Sequence, residues 1–146
     1  MKLYFDTTVL AALTYFKDKD IKRYSESIRL IERCNKNEVT IVISFYSIHE
    51  LFLLPFEYAE EKAARNIGLA LIREILNIKG IELTELLSRD KRIRYQDSFS
   101  ISDRTDIPHA ISAYLEKCDS IVTYDRHFDE ISTKIKVFEP GEVLVS

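Results

Sequence analysis

The chain has 146 residues, of which 46% are apolar, so we expect residues 1–146 to form a single globular domain with a buried core. Its 21 Lys and Arg residues against 24 Asp and Glu residues give a formal net charge of −3, a mild objection to a protein that only coats nucleic acid. No apolar run reaches the roughly 18 residues that span a bilayer, and only three apolar residues separate Lys2 from Asp6, so we expect neither a membrane span nor a signal peptide, but a cytoplasmic protein.

The first half of the chain alternates between strand and helix patterns. The predicted elements are a strand at 2–5, a helix at 9–16, a helix at 21–34, a strand at 39–43 and a helix at 44–54. Thr7 or Thr8 can cap the first of these helices, and Ser44 can cap the third. Pro55 ends the third helix, because the residue before a proline avoids the helical region.

The second half continues this alternation with few breaks. The predicted elements are a long amphipathic helix at 57–79, a strand at 81–83, a helix at 85–94, a helix at 106–117 and strands at 120–124 and 135–138. Gly80 suits the position just beyond the long helix. Thr105 can cap the helix at 106–117, and Pro108 falls in its first turn, where a missing N–H costs no hydrogen bond. Alternating strands and helices predict an α/β fold with a parallel sheet covered on both faces.

Acidic residues lie next to the predicted strands at one edge of this sheet. Ligands of such folds bind beyond the carboxyl ends of the strands. Asp6 ends the first strand and Asp125 follows the fourth, so their carboxylates converge if those two strands are neighbours. Asp106 begins the helix that leads into the fourth strand, and it therefore lies at the same edge.

Glu50 is the fourth candidate, within an otherwise apolar helical stretch. Such an acid lies either on a thin solvent-exposed stripe with Ser47 or in a functional pocket, and the sequence leaves both open. Each of the other acids also has an ordinary structural role, because Asp6 and Asp106 suit helix N-termini and Asp125 suits a turn.

The clustering of the acids has a consequence for metal binding. Like charges held close together repel each other, so four carboxylates at one edge would be costly without cations. Oxygen ligands of this kind suit Mg²⁺ or Mn²⁺, whereas no set of His and Cys suggests zinc. Two bound divalent cations would change the formal charge from −3 to +1, so a polyanionic substrate is compatible with the acidic total.

Four short segments carry these acids in a recognisable order. They are FDTTVL at 5–10, SFYSIHE at 44–50, TDIPHAI at 105–111 and VTYDRHF at 122–128. An Asp follows the first strand, a Glu ends a Ser-initiated helical segment, an Asp opens an apolar helix, and Thr-x-Asp-x-x-Phe follows a strand. With FEPGE at 138–142 as a closing strand and turn, the pattern resembles the PIN-domain family, most closely the VapC-type toxins of toxin–antitoxin pairs. Pro108 departs from the family's usual helix.

The resemblance implies a three-layer α/β/α PIN-like fold, with a five-stranded parallel sheet in the order 3-2-1-4-5. It also implies an endoribonuclease that depends on Mg²⁺ or Mn²⁺ and cleaves single-stranded or structured RNA. Asp6 and Asp125 are then expected to be direct metal ligands, Asp106 a ligand or a residue that orients water, and Glu50 a ligand of a second metal or a base.

Other residues are expected to support this site. Thr7 and Thr123 can orient carboxylates, and Asp103 is a supplementary acid that could instead cap a helix. Further candidates, expected to bind the RNA backbone, are Arg104, Arg126 and His127. A solvated helix face is the favoured interpretation of the basic run at 89–94, and ordinary packing or hydrogen-bonding roles are favoured for His49 and His109.

The resemblance also bears on partners and on competing functions. It implies a small antitoxin protein and a homodimer, formed by the helices between 57 and 96. A dehalogenase-like phosphatase would need an acid where the chain has Thr8, and a receiver domain would need an acid pair that is not evident. The serious alternative is a non-catalytic PIN-like module that binds RNA or protein, and the presence of all four acids argues against it.

Overall fold

A computed structural model describes all residues from 1 to 146 and contains one sheet. Its strands are β1 (Lys2–Phe5), β2 (Thr40–Ser44), β3 (Ile81–Thr84), β4 (Ser120–Val122) and β5 (Lys136–Phe138). All neighbouring strands are parallel, and their order is β3-β2-β1-β4-β5. The predicted fold class and strand order are therefore confirmed, and β1 lies at the centre beside β4.

Seven helices surround the sheet. They are α1 (Thr7–Leu13), α2 (Ile21–Asn35), α3 (Phe45–Leu53), α4 (Glu61–Leu76), α5 (Arg89–Tyr95), α6 (Ile107–Leu115) and α7 (Pro140–Val145). Short 3₁₀ turns occur at Leu54–Glu57, Gln96–Ser98, Arg104–Asp106 and Arg126–Ile131. No helix combines the length and the apolar character that crossing a membrane requires.

The alternation of side chains along β1 divides the core into two layers. Leu3 and Phe5 face the larger cluster, formed with α1, α2, α3, α4 and α7. Tyr4 points to the opposite face and joins a smaller cluster built mainly from α6 and the 3₁₀ turn at Arg126–Ile131. Because a strand presents successive side chains to opposite faces, β1 is buried on both sides, as the three-layer prediction requires.

Several predicted helix boundaries differ from the structure. Asp6, rather than Thr7 or Thr8, caps α1, because its carboxylate accepts the backbone N–H of Thr8 at 3.2 Å. The predicted helix at 57–79 is shorter in the structure, where it runs from Glu61 to Leu76 and Glu57 belongs to the preceding 3₁₀ turn. Glu60 caps this helix, because its carboxylate accepts the backbone N–H of Ala63 at 3.1 Å.

The later helices show corrections of the same kind. Ser88 caps α5, which therefore starts later than the predicted helix at 85–94. Asp103, rather than Thr105, caps the 3₁₀ turn before α6, because its carboxylate accepts the Thr105 N–H at 2.9 Å. The predicted closing turn at 138–142 is the start of α7, which Glu139 and Glu142 begin with reciprocal side-chain-to-backbone hydrogen bonds.

Two further features position the site. β4 ends at Val122, two residues before the predicted end, because the hydroxyl of Thr8 accepts the N–H of Tyr124 at 2.9 Å. Helices α3 and α4 pack closely at Gly68, where a Cβ atom would lie 2.6 Å from the carbonyl oxygen of Phe52. The predicted dimer contact through the helices between 57 and 96 stays a prediction.

Candidate active site

The four predicted acids line one cavity of about 610 Å³ at the carboxyl edge of the sheet. Asp6 follows β1, Asp106 precedes α6, and Asp125 lies beyond the end of β4. Glu50 reaches the same cavity from α3. The pairing of β1 with β4 and the parallel direction of the strands account for the convergence.

Asp6 is held in a fixed orientation by two hydroxyl groups. Its side chain is buried, and its Oδ2 atom accepts hydrogen bonds from the hydroxyls of Thr8 at 2.8 Å and Thr123 at 2.9 Å. The Thr8 hydroxyl also accepts the N–H of Tyr124, and the Thr123 hydroxyl accepts the N–H of Asp125, each at 2.9 Å. Both threonines thus connect the end of β1 to the segment after β4 and leave Oδ1 of Asp6 free to take a further ligand.

The predicted supporting threonines are both next to acids, and a third was missed. Thr123 orients Asp6, as described above. Thr7 donates its hydroxyl hydrogen to Oε2 of Glu50 at 2.5 Å. Thr8, expected only as a helix cap, has the same role at Asp6 as Thr123. Its position two residues after Asp6 is the one signal in the sequence that could have indicated this.

Glu50 is fixed on its second oxygen by a buried histidine. His109 has no solvent exposure, and its Nε2 atom lies 2.9 Å from Oε1 of Glu50. Burial alone would raise the pKa of Glu50, but the hydrogen bonds from His109 and Thr7 outweigh burial and hold this pKa below its ordinary value. Glu50 is therefore a carboxylate at neutral pH.

His109 also connects the site to the core of the sheet. Its Nδ1 atom lies 2.8 Å from the hydroxyl of Tyr4, which lies 2.6 Å from the hydroxyl of Ser44. Burial lowers the pKa of His109, but the hydrogen bond to Glu50 and the charge of Asp6 raise it above its ordinary value. The expected hydrogen-bonding role of His109 is correct, but its position at the acidic site was not predicted.

Asp106 is a buried acid of the cluster, like Asp6. Burial raises the pKa of its carboxyl group to about 7, and repulsion from Asp6 and Asp125 adds to the rise. Its Oδ2 atom is buried without any hydrogen-bond partner. Because buried polar atoms in proteins are almost always satisfied, this oxygen is poised to receive a ligand that the protein itself does not supply.

His127 and Asp103 lie close to Asp106. The Nδ1 atom of His127 is 3.3 Å from Oδ1 of Asp125 and 3.9 Å from Oδ2 of Asp106. Hydrogen bonds from the hydroxyl and N–H of Thr105 hold the pKa of Asp103 below its ordinary value. One donor atom each from Asp103, Asp106 and His127 lie within 4.8 Å of one another. Asp103 thus caps the 3₁₀ turn before α6 and also lies next to the acids of the site.

The two arginines predicted to bind RNA have different surroundings. Arg126 forms ion pairs with Asp129 and Glu139, with N–O distances of 3.6 Å and 3.2 Å. Arg104 forms no ion pair and is exposed. Lys19 and Arg23 also line the cavity of the acids, so it contains cationic side chains as well.

The donor set fits a hard divalent cation. Four carboxylates line one cavity, and one buried oxygen of Asp106 lacks a partner. Oxygen-rich sites of this type suit Mg²⁺ or Mn²⁺. A ring nitrogen of His109 also lies within 4.8 Å of Asp6 and Glu50 oxygens, but both ring nitrogens already have hydrogen-bond partners. The carboxylates are therefore the better candidates to hold the ion.

The sequence matches the family described as PIN domain over residues 2–127, so the chain belongs to the PIN-domain family. This match confirms the resemblance that the four segments indicated, and it supports a nuclease in general. No curated protein matches the sequence.

Solved structures of other proteins share the fold, and two of them illustrate the likeness. One is VapBC2 from Rickettsia felis, bound to a DNA fragment from its promoter, with 18% identity, a TM-score of 0.62 and coverage of 95% of this chain and 98% of that chain. The other is VapC20 of Mycobacterium tuberculosis, described as a Sarcin-Ricin loop cleaving toxin, with 13% identity, a TM-score of 0.62 and coverage of 91% and 95%. At these identities the likeness shows the fold.

Proposed function

We propose that the protein is a metal-dependent endoribonuclease and the toxin of a toxin–antitoxin pair. The observation that carries the proposal is the convergence of Asp6, Glu50, Asp106 and Asp125 in one cavity of a PIN domain. The description of VapC20, a protein of the same fold, as a Sarcin-Ricin loop cleaving toxin supports the choice of substrate.

Asp6 and Asp125 would hold the cation directly, Asp106 would be a ligand or would orient water, and Glu50 would be a ligand of a second metal or a base. When bound, Mg²⁺ or Mn²⁺ activates water for attack on phosphorus and offsets the charge on the phosphate oxygens. Thr8 and Thr123 fix the Asp6 carboxylate, and Thr7 and His109 fix that of Glu50. These contacts pre-orient the two carboxylates and so reduce the rearrangement that cation and substrate binding require.

The raised pKa of Asp106 supports a cation at this position. A carboxyl group with a pKa of about 7 is only partly ionised at neutral pH. A bound cation favours the ionised form, and it also removes the repulsion from Asp6 and Asp125. The same neutralisation explains how an acidic protein could accept RNA at its most acidic cavity.

A cleavage assay tests the proposal directly. Purified protein is incubated with a labelled RNA that contains single-stranded and hairpin segments, with Mn²⁺, with Mg²⁺ or with excess EDTA. We expect endonucleolytic products in either metal and none in EDTA. Undiminished cleavage in EDTA would disprove the metal-dependent mechanism. Binding of RNA without cleavage in any metal would instead favour the non-catalytic module.

The toxin role requires a partner. A VapBC2 structure shares this fold, and we propose that a small antitoxin protein blocks the acidic cavity of this chain as well. Induced expression should arrest growth of a bacterial host, and co-expression of the product of the adjacent gene should restore it. Growth arrest that an Asp6→Asn variant produces equally would contradict the toxin proposal.

We also propose that the protein is a homodimer. Exposed leucines on α4, Leu69 and Leu76, supply apolar surface for the contact. Light scattering of the purified chain should give twice the mass of 17.1 kDa. A Leu69→Lys variant should shift the mass to that of one chain.

A further inference from the structure

A second cavity, of about 570 Å³, lies between α5 and the start of α6. Arg89 and Arg92 from α5 and Arg104 from the 3₁₀ turn line it, with apolar surface from Ile93 and Pro108. We call this feature the arginine groove. From the sequence, the basic run at 89–94 was interpreted as a solvated helix face. In the structure, Arg89 and Arg92 of this run form a concave surface together with Arg104.

The arginines of the groove are not neutralised by the protein. None of Arg89, Arg92 and Arg104 forms an ion pair, whereas Arg33 and Arg126 have carboxylate partners within 3.2 Å. Asp97 is the one acidic residue among those that line the groove. A protein with a formal charge of −3 thus concentrates three unpaired guanidinium groups at one place.

The groove is adjacent to the acidic cavity. The 3₁₀ turn Arg104–Asp106 separates the two, with Arg104 lining the groove and Asp106 lining the cavity of the acids. A ligand that lies in the groove therefore reaches the acids by crossing a single turn of backbone. This continuity favours a linear polyanion over a separate small anion.

Arginine is suited to a phosphate chain. Its planar guanidinium group donates two parallel hydrogen bonds to phosphate oxygens and holds its charge at any physiological pH. Ile93 and Pro108 add apolar surface against which ribose and base faces can pack. We propose that the arginine groove binds the sugar–phosphate backbone of RNA next to the segment that lies over the acids. The proposal rests on the proposed function for its ligand.

The test measures binding without cleavage. A fluorescent single-stranded RNA of about 12 nucleotides is titrated in EDTA with the Asp6→Asn protein, with an Arg89→Glu/Arg92→Glu variant of it, and with an Arg29→Glu/Lys36→Glu control. Arg29 and Lys36 are exposed and unpaired like the groove arginines, and they lie on or just after α2, which covers the other face of the sheet. Both variants change the net charge equally.

We expect the groove variant to bind RNA at least about tenfold more weakly, and the slope of log Kd against log salt to fall by about 0.7 for each lost phosphate contact. The control should lose much less affinity, because its charges lie on the other face of the sheet and are screened by salt. Thermal melts of every protein show whether a weaker-binding variant is still folded. An Arg89→Gln/Arg92→Gln variant, which loses the two charges without reversing them, should also bind RNA more weakly than the control.

Equal losses in the groove and control variants would overturn the proposal, and so would the absence of RNA binding by the Asp6→Asn protein. Polyglutamate that competes as well as RNA at equal charge would also overturn it, in favour of an acidic protein partner. Failure of the wild type to cleave RNA would count against the proposed function but not against the groove, because the binding measurements do not depend on cleavage.

Discussion

The Nε2 atom of His109, a side chain with no solvent exposure, lies 2.9 Å from Oε1 of Glu50. The other ring nitrogen lies 2.8 Å from the hydroxyl of Tyr4, which belongs to the central strand. The orientation of one acid of the site is therefore determined from within the core of the sheet.

Replacement of His109 should affect both metal binding and folding. His109→Ala removes a hydrogen bond to Glu50 and leaves a cavity beside Tyr4, so we expect a loss of about 2–4 kcal/mol in stability. The Mn²⁺ affinity should fall about 10- to 100-fold. Calorimetric titration with Mn²⁺ measures the affinity. His109→Gln, which can still donate to Glu50, should recover part of it. Wild-type affinity in folded His109→Ala would show that His109 serves only the core.

Replacement of Asp6 should separate chemistry from folding. Asp6→Asn keeps the side-chain volume and the acceptor that caps α1, but it removes a charge from the site. We expect cleavage to fall by orders of magnitude, with stability unchanged or raised by about 1 kcal/mol as repulsion is relieved. Thermal melts with and without Mn²⁺ should show a smaller stabilisation by metal than in the wild type. Asp18→Asn, at an exposed loop position, is the control. Weaker folding with retained cleavage would assign Asp6 to the fold.

The metal-free protein should become less stable as the pH rises. The pKa of Asp106 is about 7 in the folded protein, above its value of 3.8 as a free side chain. The native state thus binds more protons than the unfolded state between these values, and stability falls as the pH increases through them. Asp106→Asn should weaken this dependence and stabilise the protein at about pH 8 by about 1–2 kcal/mol, less than the full shift would give because the cavity is open to water.

Urea unfolding in EDTA at about pH 5 and about pH 8 measures this effect. The difference between wild type and Asp106→Asn should be larger at the higher pH. Addition of Mn²⁺ should reverse the order at that pH, because only the wild type gains the full stabilisation. An unchanged difference at the two pH values would mean that Asp106 is ionised throughout.

The Thr123 hydroxyl should matter for metal binding as well as for stability. Thr123→Val keeps the shape of the side chain but removes the donor to Asp6 and the acceptor for the N–H of Asp125. We expect a loss of about 1–3 kcal/mol and a weaker response of the melting temperature to Mn²⁺. Thr123→Ser should restore both. If Val and Ser variants respond alike to Mn²⁺, the hydroxyl does not orient the site.

Gly68 provides a prediction about the fold alone. Alanine is favoured over glycine in a helix by up to about 1 kcal/mol. At this position, however, the new Cβ would lie 2.6 Å from a carbonyl oxygen of α3, and backbone cannot move aside easily. Gly68→Ala should therefore destabilise the protein by about 1–3 kcal/mol in chemical denaturation. A stabilised variant would show that α3 and α4 can move apart at little cost.

The strands were predictable because their signal is local. The β-branched run before Ser44 and the apolar run before Asp6 indicate buried strands by composition. Their order followed from the family resemblance, since spacing alone does not determine which strands are neighbours. Asp6 and Asp125 could be placed at one edge because strand ends are local features and parallel strands share a direction.

The missed features depend on contacts between distant residues. His109 lies in an apolar helix that predicts a core position, and nothing local indicates that its ring nitrogen meets Glu50. Thr8 was interpreted as a helix cap because the segment after β4, which it bonds, lies more than 110 positions away, as its 3.2 Å contact with Thr123 shows. The arginine groove likewise requires α5 and the turn at Arg104 to be adjacent in space.

The pairing of β1 with β4 has a consequence for biosynthesis. Asp6 and Thr123 are 117 positions apart, yet their hydrogen bond fixes the first acid of the site. Chains emerge from the ribosome with the N-terminal part first, so a nascent chain that has reached α6 carries Asp6, Glu50 and Asp106 but lacks the strand that completes the centre of the sheet. On the proposed function, the ribosome that synthesises the protein is not exposed to a complete nuclease until the last strands have been added.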